Sequence, residues 1–359
     1  VEYDSSYYFV NSSGAKITND WRLTTPYDDD SADEDEYWYY LKKATGKPAT
    51  GKQSNINGQI YLFNNEGQMQ HGWVAATDTN GAKFVQLDKE DDEKSMSAAG
   101  NAAVYYCGDE DDGHAKKNKW TKTWPPDNTS EEDDDKEWFW FDKDGVLFRS
   151  GENKGSATAS DAWKYKLDEG TLKKDTNEST GVISKKKVSS KDYWSTKDGV
   201  MLSKFYLIND AMYYFGGSDD GSMKTGSQSV KDDNGDSYKF FFENKTTGNT
   251  KGLGITGNKS GYLYFKGLLI KADDYKYQLA TITDENGVEH TFIVNKNGSI
   301  QKNRVDYKED NEVLFTTKNL PKDAFVTDST AWKYSLKDGL TVEDDITTPI
   351  DIYDVMPQN

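Results

Sequence analysis

The sequence predicts an all-β chain, an elongated solenoid of stacked β-hairpin repeats that becomes degenerate at its C-terminal end. One observation is a recurring phrase of two or three aromatic residues, a polar stretch and a glycine. Another is that Asp or Asn lies within the three residues before most of these glycines, as is typical of tight turns between strands. A third is that the apolar spacing typical of helices is almost absent.

Each phrase predicts one hairpin. Phe139-Trp140-Phe141 is followed by the turn residues Asp142 to Gly145 and then by the short apolar pair Val146-Leu147. An isolated two-stranded hairpin is marginal in water, so consecutive hairpins are expected to stack and bury their rings against each other. The phrases occur six times, with turn glycines at Gly14, Gly46, Gly67, Gly113, Gly145 and Gly221.

Longer blocks are also duplicated. Gly14 and Trp21 return as Gly113 and Trp120, each 99 residues later, and both copies run from a Trp through Pro and an acidic insert to a second Trp. The predicted organisation is a first hairpin array over 1–155 and a second, more degenerate array over 156–303. Degenerate terminal repeats or a cap are predicted over 304–359.

Composition narrows the classes of function. Only 34% of the 359 residues are hydrophobic while 13% are aromatic, so rings must supply much of the buried area, each roughly 150–250 Å². The net charge of −18 argues against nucleic acid and anionic membranes, because phosphate contacts need clustered Lys and Arg. No apolar run approaches the ~18 residues of a membrane helix, so no membrane insertion is expected. The single cysteine, Cys107, fills a ring slot and is expected to be a small buried hydrophobe.

The phrase resembles the cell-wall-binding repeats of Gram-positive surface proteins. The residues that carry the resemblance best run from Gly58 to Trp73, with Tyr61-Leu62-Phe63, the turn at Gly67 and the final Gly72-Trp73. Choline-binding modules, glucan-binding repeats of secreted glucosyltransferases and the C-terminal repeats of large glucosylating toxins share this phrase. The resemblance covers about residues 1 to 303.

The resemblance implies a non-catalytic module, extracellular and secreted or cell-wall-associated, that attaches or presents a protein at a Gram-positive surface. It implies a cell-wall polymer, a choline-type group or a glycan as the partner, held by aromatic cages between successive hairpins. The set of tryptophans that such a cage needs is nearly complete in two places. The acidic inserts Asp28 to Glu36 and Glu131 to Asp135 interrupt these two places. The candidate ligand-binding rings are Trp21, Trp38, Tyr40, Trp73, Trp120, Trp138 and Trp140.

Two alternatives stay open. The rings could instead form the core of a structural stalk or a protein-interaction scaffold that has lost ligand binding, or the chain could be the binding region of a larger secreted enzyme or toxin. No nucleophile elbow, phosphate loop or zinc-protease motif is present, so no enzyme activity, catalytic residue or cofactor is predicted. The acidic runs lack the ligand spacing of a calcium loop, so no metal site is predicted either.

Overall fold

A computed structural model gives the fold. It describes residues 1–3, 5–26, 35–78, 83–127, 132–149, 162–175, 180–181, 184–246, 248, 250–343 and 347–355. Most of the insert predicted at Asp28 to Glu36 lies outside these residues, as does Glu131 of the other insert. No helix among the described residues is long and apolar enough to cross a membrane.

The described residues of the first half of the chain form eleven short strands. They are β1 Glu2–Tyr3, β2 Ser6–Tyr7, β3 Asp20–Thr24, β4 Tyr37–Leu41, β5 Gly51–Ile56, β6 Gln59–Phe63, β7 Trp73–Ala76, β8 Phe84–Gln86, β9 Val104–Tyr106, β10 Lys119–Thr123 and β11 Glu137–Phe141. In this described part of the chain, the helical elements are α1 (Met96–Ala99) and the 3-10 turns Asp92–Lys94 and Asp133–Asp135. All pairings are antiparallel: β1-β2, β3-β4, β5-β6, β10-β11 and a three-stranded sheet β8-β7-β9.

In the second half, the residues that the structure describes form sixteen strands and one short helix. They are β12 Ala162–Asp168, β13 Thr171–Lys174, β14 Ser184–Val188, β15 Lys191–Ser195, β16 Phe205–Ile208, β17 Ala211–Tyr214, β18 Gly226–Lys231, β19 Ser237–Phe242, β20 Gly257–Lys259, β21 Tyr262–Phe265, β22 Leu268–Leu269, β23 Tyr277–Thr283, β24 Glu289–Asn295, β25 Ile300–Gln301, β26 Asp306–Glu309, β27 Glu312–Thr316 and α2 Ile352–Val355. The sheets are β13-β12-β16-β17, β14-β15, β18-β19-β22-β21-β20, β23-β24-β25 and β26-β27.

The prediction of an all-β chain of hairpins is confirmed. The described strands form many small antiparallel sheets and no closed barrel, whereas the elongated solenoid stays a prediction. The chain divides into two compact units. Unit 1 is Val1–Ala157 with Ser195–Met201, and unit 2 is Thr158–Trp194 with Leu202–Asn359.

The predicted strand pairing within the phrase is partly wrong. The segment after the turn joins its aromatic strand through a single bridge, Phe63 to Met69 or Phe141 to Leu147. The full partner of an aromatic strand is instead a preceding one: β3 pairs with β4, with Trp21 opposite Tyr40. A backbone amide of the short segment after the turn donates a hydrogen bond to the previous repeat instead.

That backbone group links successive repeats in unit 1. The amide N–H of Met69 donates to the carbonyl of Trp38 at 2.8 Å, and that of Leu147 donates to Val104 at 2.7 Å. The amide of Met201 donates to Trp138 at 2.9 Å. Each repeat therefore satisfies a backbone acceptor of the one before it, which is how thin hairpins avoid exposing their strand edges.

One turn glycine shows how closely the repeats approach. Gly199 has a φ of +92°, and a side chain there would bring its Cβ to 2.9 Å from the carbonyl oxygen of Phe148. Both the left-handed backbone and the close approach require glycine.

The aromatic strands have two different faces. In β4, Tyr39 and Leu41 are buried, whereas Trp38 and Tyr40 are half-buried. Alternation along a strand puts every second side chain on the same face, so the buried rings form the core and the others form a ring surface. The strand β11 repeats this arrangement, with a half-buried tryptophan at each alternate position.

Unit 2 has the larger core. Phe205, Phe240, Phe265 and Phe292 belong to one cluster that three sheets share. After β27 the chain has no further strand among its described residues, but it packs back on this core. The amide of Ile350 donates to Leu279 of β23 at 2.9 Å, and Ile352 of α2 is buried in the same cluster.

Candidate functional site

Trp21, Trp38, Tyr40 and Tyr61 form the first ring cluster of unit 1. The Trp21 ring centroid lies 6.4 Å from that of Trp38, with the two planes at 85°. It lies 5.1 Å from Tyr40 and 4.9 Å from Tyr61, both at steep angles. All four rings are half-buried and pack on a small apolar floor that includes Met69. The rings therefore present faces in several directions around a partly open corner.

Carboxylates lie at the edge of this cluster. The Trp38 indole Nε1 donates to Asp111 Oδ1 at 3.4 Å. The next residue, Asp112, accepts from the Lys116 ammonium at 2.5 Å and pairs with the His114 ring. The cluster is thus an aromatic surface with negative charge beside it.

The charge of Asp112 is maintained by its neighbours. Burial alone would raise the pKa of Asp112, but hydrogen bonds from Lys116 and His114 outweigh it and hold the pKa below its usual value. Burial, and then the Asp112 charge, raise the pKa of the Tyr61 phenol. At neutral pH the cluster therefore presents a neutral phenol ring beside an ionised carboxylate.

The turn of residues 109–113 positions these groups. The Asp109 side chain accepts from the amide of Asp112 at 2.9 Å, and its carbonyl accepts from the amide of Gly113 at 3.0 Å. Gly113 has a φ of +57°, and a Cβ there would overlap the Met69 side chain. The acidic run thus forms a defined turn against the floor of the cluster.

The second ring cluster, Trp73, Tyr106, Phe139 and Phe141, has nearly the same geometry. The Trp73 centroid lies 5.2 Å from Tyr106, 4.9 Å from Phe139 and 5.9 Å from Phe141. The matching distances from Trp21 are 5.1, 4.9 and 5.9 Å, the last to Phe63. The two clusters are therefore structural copies.

The copies differ in side chains that decide access. Val104 stands where the first cluster has Trp38, and Leu147 stands where it has Met69, as the equivalent backbone hydrogen bonds show. Trp73 is only 8% exposed, and its Nε1 donates to the carbonyl of Trp124 at 2.9 Å. A filled, dry cluster of this kind favours packing over ligand binding.

The third ring cluster is Trp120, Trp138 and Trp140. Trp120 lies opposite Trp140 across the β10-β11 pair, with centroids 5.4 Å apart at 62°. Met201 donates its amide to Trp138 just as Met69 does to Trp38. The Trp140 Nε1 is buried and has no hydrogen-bond acceptor among the described residues. This cluster repeats the tryptophan positions of the first one, and its Trp140 indole N–H is enclosed.

The structure brings some of the predicted site residues together and adds one ring, Tyr61, that was not among them. Trp21 meets Trp38 and Tyr40, and Trp120 meets Trp140, as the duplicated pattern predicts. Tyr61 is not among the predicted site residues, although it lies within the phrase from Gly58 to Trp73 that carries the resemblance best. The sequence pattern does not indicate Tyr61 as a wall, because Tyr61 comes from the following repeat and meets Trp21 only in the folded chain.

Other chemistry is sparse among the described residues. They contain no group of three or more His, Cys, Asp or Glu side chains arranged to hold a metal ion. Cys107 is fully buried, as expected from its place in a ring slot. The ring clusters are therefore the features best suited to a ligand.

Among proteins of known structure, the fold is similar to choline binding protein F from Streptococcus pneumoniae, solved in the presence of a peptidoglycan analogue. The match has 16% identity and a TM-score of 0.25, and covers 74% of this chain and 75% of that one. CbpJ from the same organism matches with 18% identity and a TM-score of 0.23, covering 84% and 99%. The modular autolysin LytC matches with 18% identity and a TM-score of 0.25, covering 80% and 56%.

Choline-binding proteins are thus among the structures that match the chain. No protein-family model matches the chain, and no curated protein does. The function proposed below rests on the ring clusters of this chain.

Proposed function

We propose that this chain is a non-catalytic binding module that attaches or presents a protein at the surface of a Gram-positive cell. Its ring clusters would hold a choline-type ammonium group of a cell-wall polymer, outside the cell. The first ring cluster carries the proposal, because Trp38 and its perpendicular neighbour Trp21 are half-buried beside the carboxylates of Asp111 and Asp112.

The chemistry of this cluster suits a cation. A ring face attracts an ammonium group within about 6 Å of its centroid, and each ring contributes roughly 0.5–2 kcal/mol depending on desolvation. The ring centroids of Trp38 and Tyr61 lie 6.4 and 4.9 Å from that of Trp21. A ligand at their corner could contact all three faces. The flanking carboxylates favour the ammonium over a neutral sugar.

The proposed site residues separate into two groups. Trp21, Trp38, Tyr40 and Tyr61 form one site, and Trp120, Trp138 and Trp140 form its duplicate. We assign Trp73 to packing, since its cluster is filled by Val104 and Leu147.

Titration of the full chain with choline and with 3,3-dimethylbutan-1-ol tests this assignment. The alcohol has the same shape as choline but no charge, so cation–π binding predicts saturable binding of choline alone. Purified cell wall should bind and should be released by choline. Binding of α-glucan without choline binding would favour the glycan instead, and a blank result with all of these ligands would overturn the proposal.

The structural stalk remains the second candidate, because the second ring cluster shows that this geometry can serve as a core alone. The two candidates differ in one measurement. A stalk predicts no change in Trp fluorescence on adding choline or cell wall, whereas the binding module predicts a saturable change that is reduced when Trp38 is replaced and lost when Trp138 is replaced as well.

A further inference from the structure

A lysine-rich cleft in unit 2 stands out in a chain with a net charge of −18. It has a volume of about 670 Å³ and lies between the β20-β21 turn and the segment 327–334. Lys259, Lys302 and Lys333 line it together with one carboxylate, Asp328. Among the described residues, none of these lysines forms an ion pair within 4.0 Å, although salt bridges are common elsewhere in the chain.

Two of the lysines converge on one tyrosine. The Lys302 Nζ lies 4.3 Å and the Lys333 Nζ 5.3 Å from the centroid of the Tyr334 ring. The ring itself packs against the core of unit 2. Hydrogen bonding from Lys302, reinforced by Lys333, lowers the pKa of the Tyr334 phenol. The local field is therefore strongly positive at the ring.

The backbone that carries these groups is fixed. The buried Asn258 side chain donates to the carbonyl of Lys333 at 2.7 Å, and its backbone amide donates to Ala331 at 2.6 Å. Tyr334 has a φ of +73°, a conformation that costs energy for a bulky residue. Its amide is held by the Val326 carbonyl at 2.8 Å. Strain maintained by surrounding bonds in this way is concentrated at functional sites.

Hydroxyl donors complete the cleft. Ser260 and Thr330 line it, as does Ser329. The Ser329 oxygen accepts from the amide of Trp332 at 3.1 Å, so its own hydrogen can be donated to a ligand. Ammonium and hydroxyl donors around one open volume are the equipment of an oxyanion site.

We propose that this cleft binds a phosphate ester of a sugar or polyol. Lys302 and Lys333 beside the single carboxylate of Asp328 leave an excess of positive charge that matches a phosphate. Lys259, whose ammonium lies 5.0 Å from the Phe241 ring centroid, adds to this charge at the edge of the cleft. The cleft is far larger than a phosphate ion, so the anion would be attached to a polar body that the serine and threonine hydroxyls contact. The site uses none of the ring clusters, and it would bind whether or not they hold a cation.

Calorimetric titration of the full chain with glucose 6-phosphate tests the proposal, with inorganic phosphate and glucuronate as comparisons at constant ionic strength. We expect saturable binding of glucose 6-phosphate, weaker binding of inorganic phosphate and still weaker binding of glucuronate. Affinity should fall as salt is raised, because the attraction is electrostatic.

The variants Lys302→Gln and Lys333→Gln should each weaken binding at least about tenfold, because each removes a charge-assisted hydrogen bond. Lys276→Gln is the matched control, since Lys276 also lies over a tyrosine ring, 5.6 Å from the Tyr277 centroid, but outside the cleft. Lys302 is exposed, so its variant should keep the wild-type melting temperature.

Three results would overturn the proposal: no saturable binding by the wild-type chain, equal effects of all three substitutions, or glucuronate binding as tightly as glucose 6-phosphate. We expect Lys302→Gln to bind choline as tightly as the wild-type chain does. With that result, a failure of sugar phosphates to bind the cleft would count against the cleft alone and not against the ring clusters.

Discussion

Replacing Trp38 by valine gives the first ring cluster the side chain that the second cluster has at the equivalent position, Val104. The two backbone sites are equivalent, because Trp38 and Val104 each accept the linking hydrogen bond, at 2.8 and 2.7 Å. Valine is therefore accommodated by this backbone. Losing about 100 Å² of apolar area at about 25 cal/mol per Å² lowers the free energy of unfolding by at most about 2.5 kcal/mol. The variant should remain folded.

Ligand binding should respond differently. One ring wall contributes roughly 0.5–2 kcal/mol to holding an ammonium group, so the choline Kd of this cluster should rise about 2-fold to about 30-fold. The assay is fluorescence or calorimetric titration, with unfolding in urea measured on the same samples. Trp124→Val is the matched control, because Trp124 is half-buried and covered by Lys136, 4.1 Å from its ring, outside the ring clusters. A folded Trp38→Val variant with unchanged choline affinity would refute the cage.

Further predictions concern the supports of the clusters. The lowered pKa of Asp112 stabilises the folded chain above the unfolded pKa of about 3.9, and this stability is lost as pH falls through the folded pKa. Asp112→Asn should therefore lower the free energy of unfolding at pH 7 by at most about 1 kcal/mol. It should also make that free energy depend less on pH in acid, which urea titration across pH measures. Burial raises the pKa of the Cys107 thiol, so a thiol reagent should fail to label it until the chain is unfolded, and rapid labelling of the folded chain would contradict this. Gly113→Ala should lower the free energy of unfolding by more than Gly14→Ala, by about 1–3 kcal/mol, because both glycines have positive φ but only Gly113 lies against Met69. Equal losses of unfolding free energy in the two variants would show that the contact of Gly113 with Met69 makes no difference.

The sequence reasoning succeeded where the information is local. The aromatic strand Phe139 to Phe141 and the turn at Gly145 follow from neighbouring residues, because tight turns are short-range features. The duplicated Trp pairs could also be read directly. The burial of Trp73 could not, because it depends on Val104 and Leu147 from other repeats.

Long-range features were inaccessible for the same reason. Tyr61 joins Trp21 from 40 positions along the chain, and the three lysines of the cleft come from separate segments between Lys259 and Lys333. Their convergence depends on how the sheets pack and on the fixed backbone around Asn258. A pattern of residue types cannot encode such a meeting without the fold.

The most direct test of the central claim is a crystal structure of the full chain soaked with arsenocholine, whose arsenic replaces the choline nitrogen and scatters anomalously. We expect an anomalous peak within about 6 Å of the Trp21, Trp38 and Tyr61 ring centroids, and none at the filled cluster around Trp73. An empty corner between Trp21 and Trp38 at saturating ligand would contradict it.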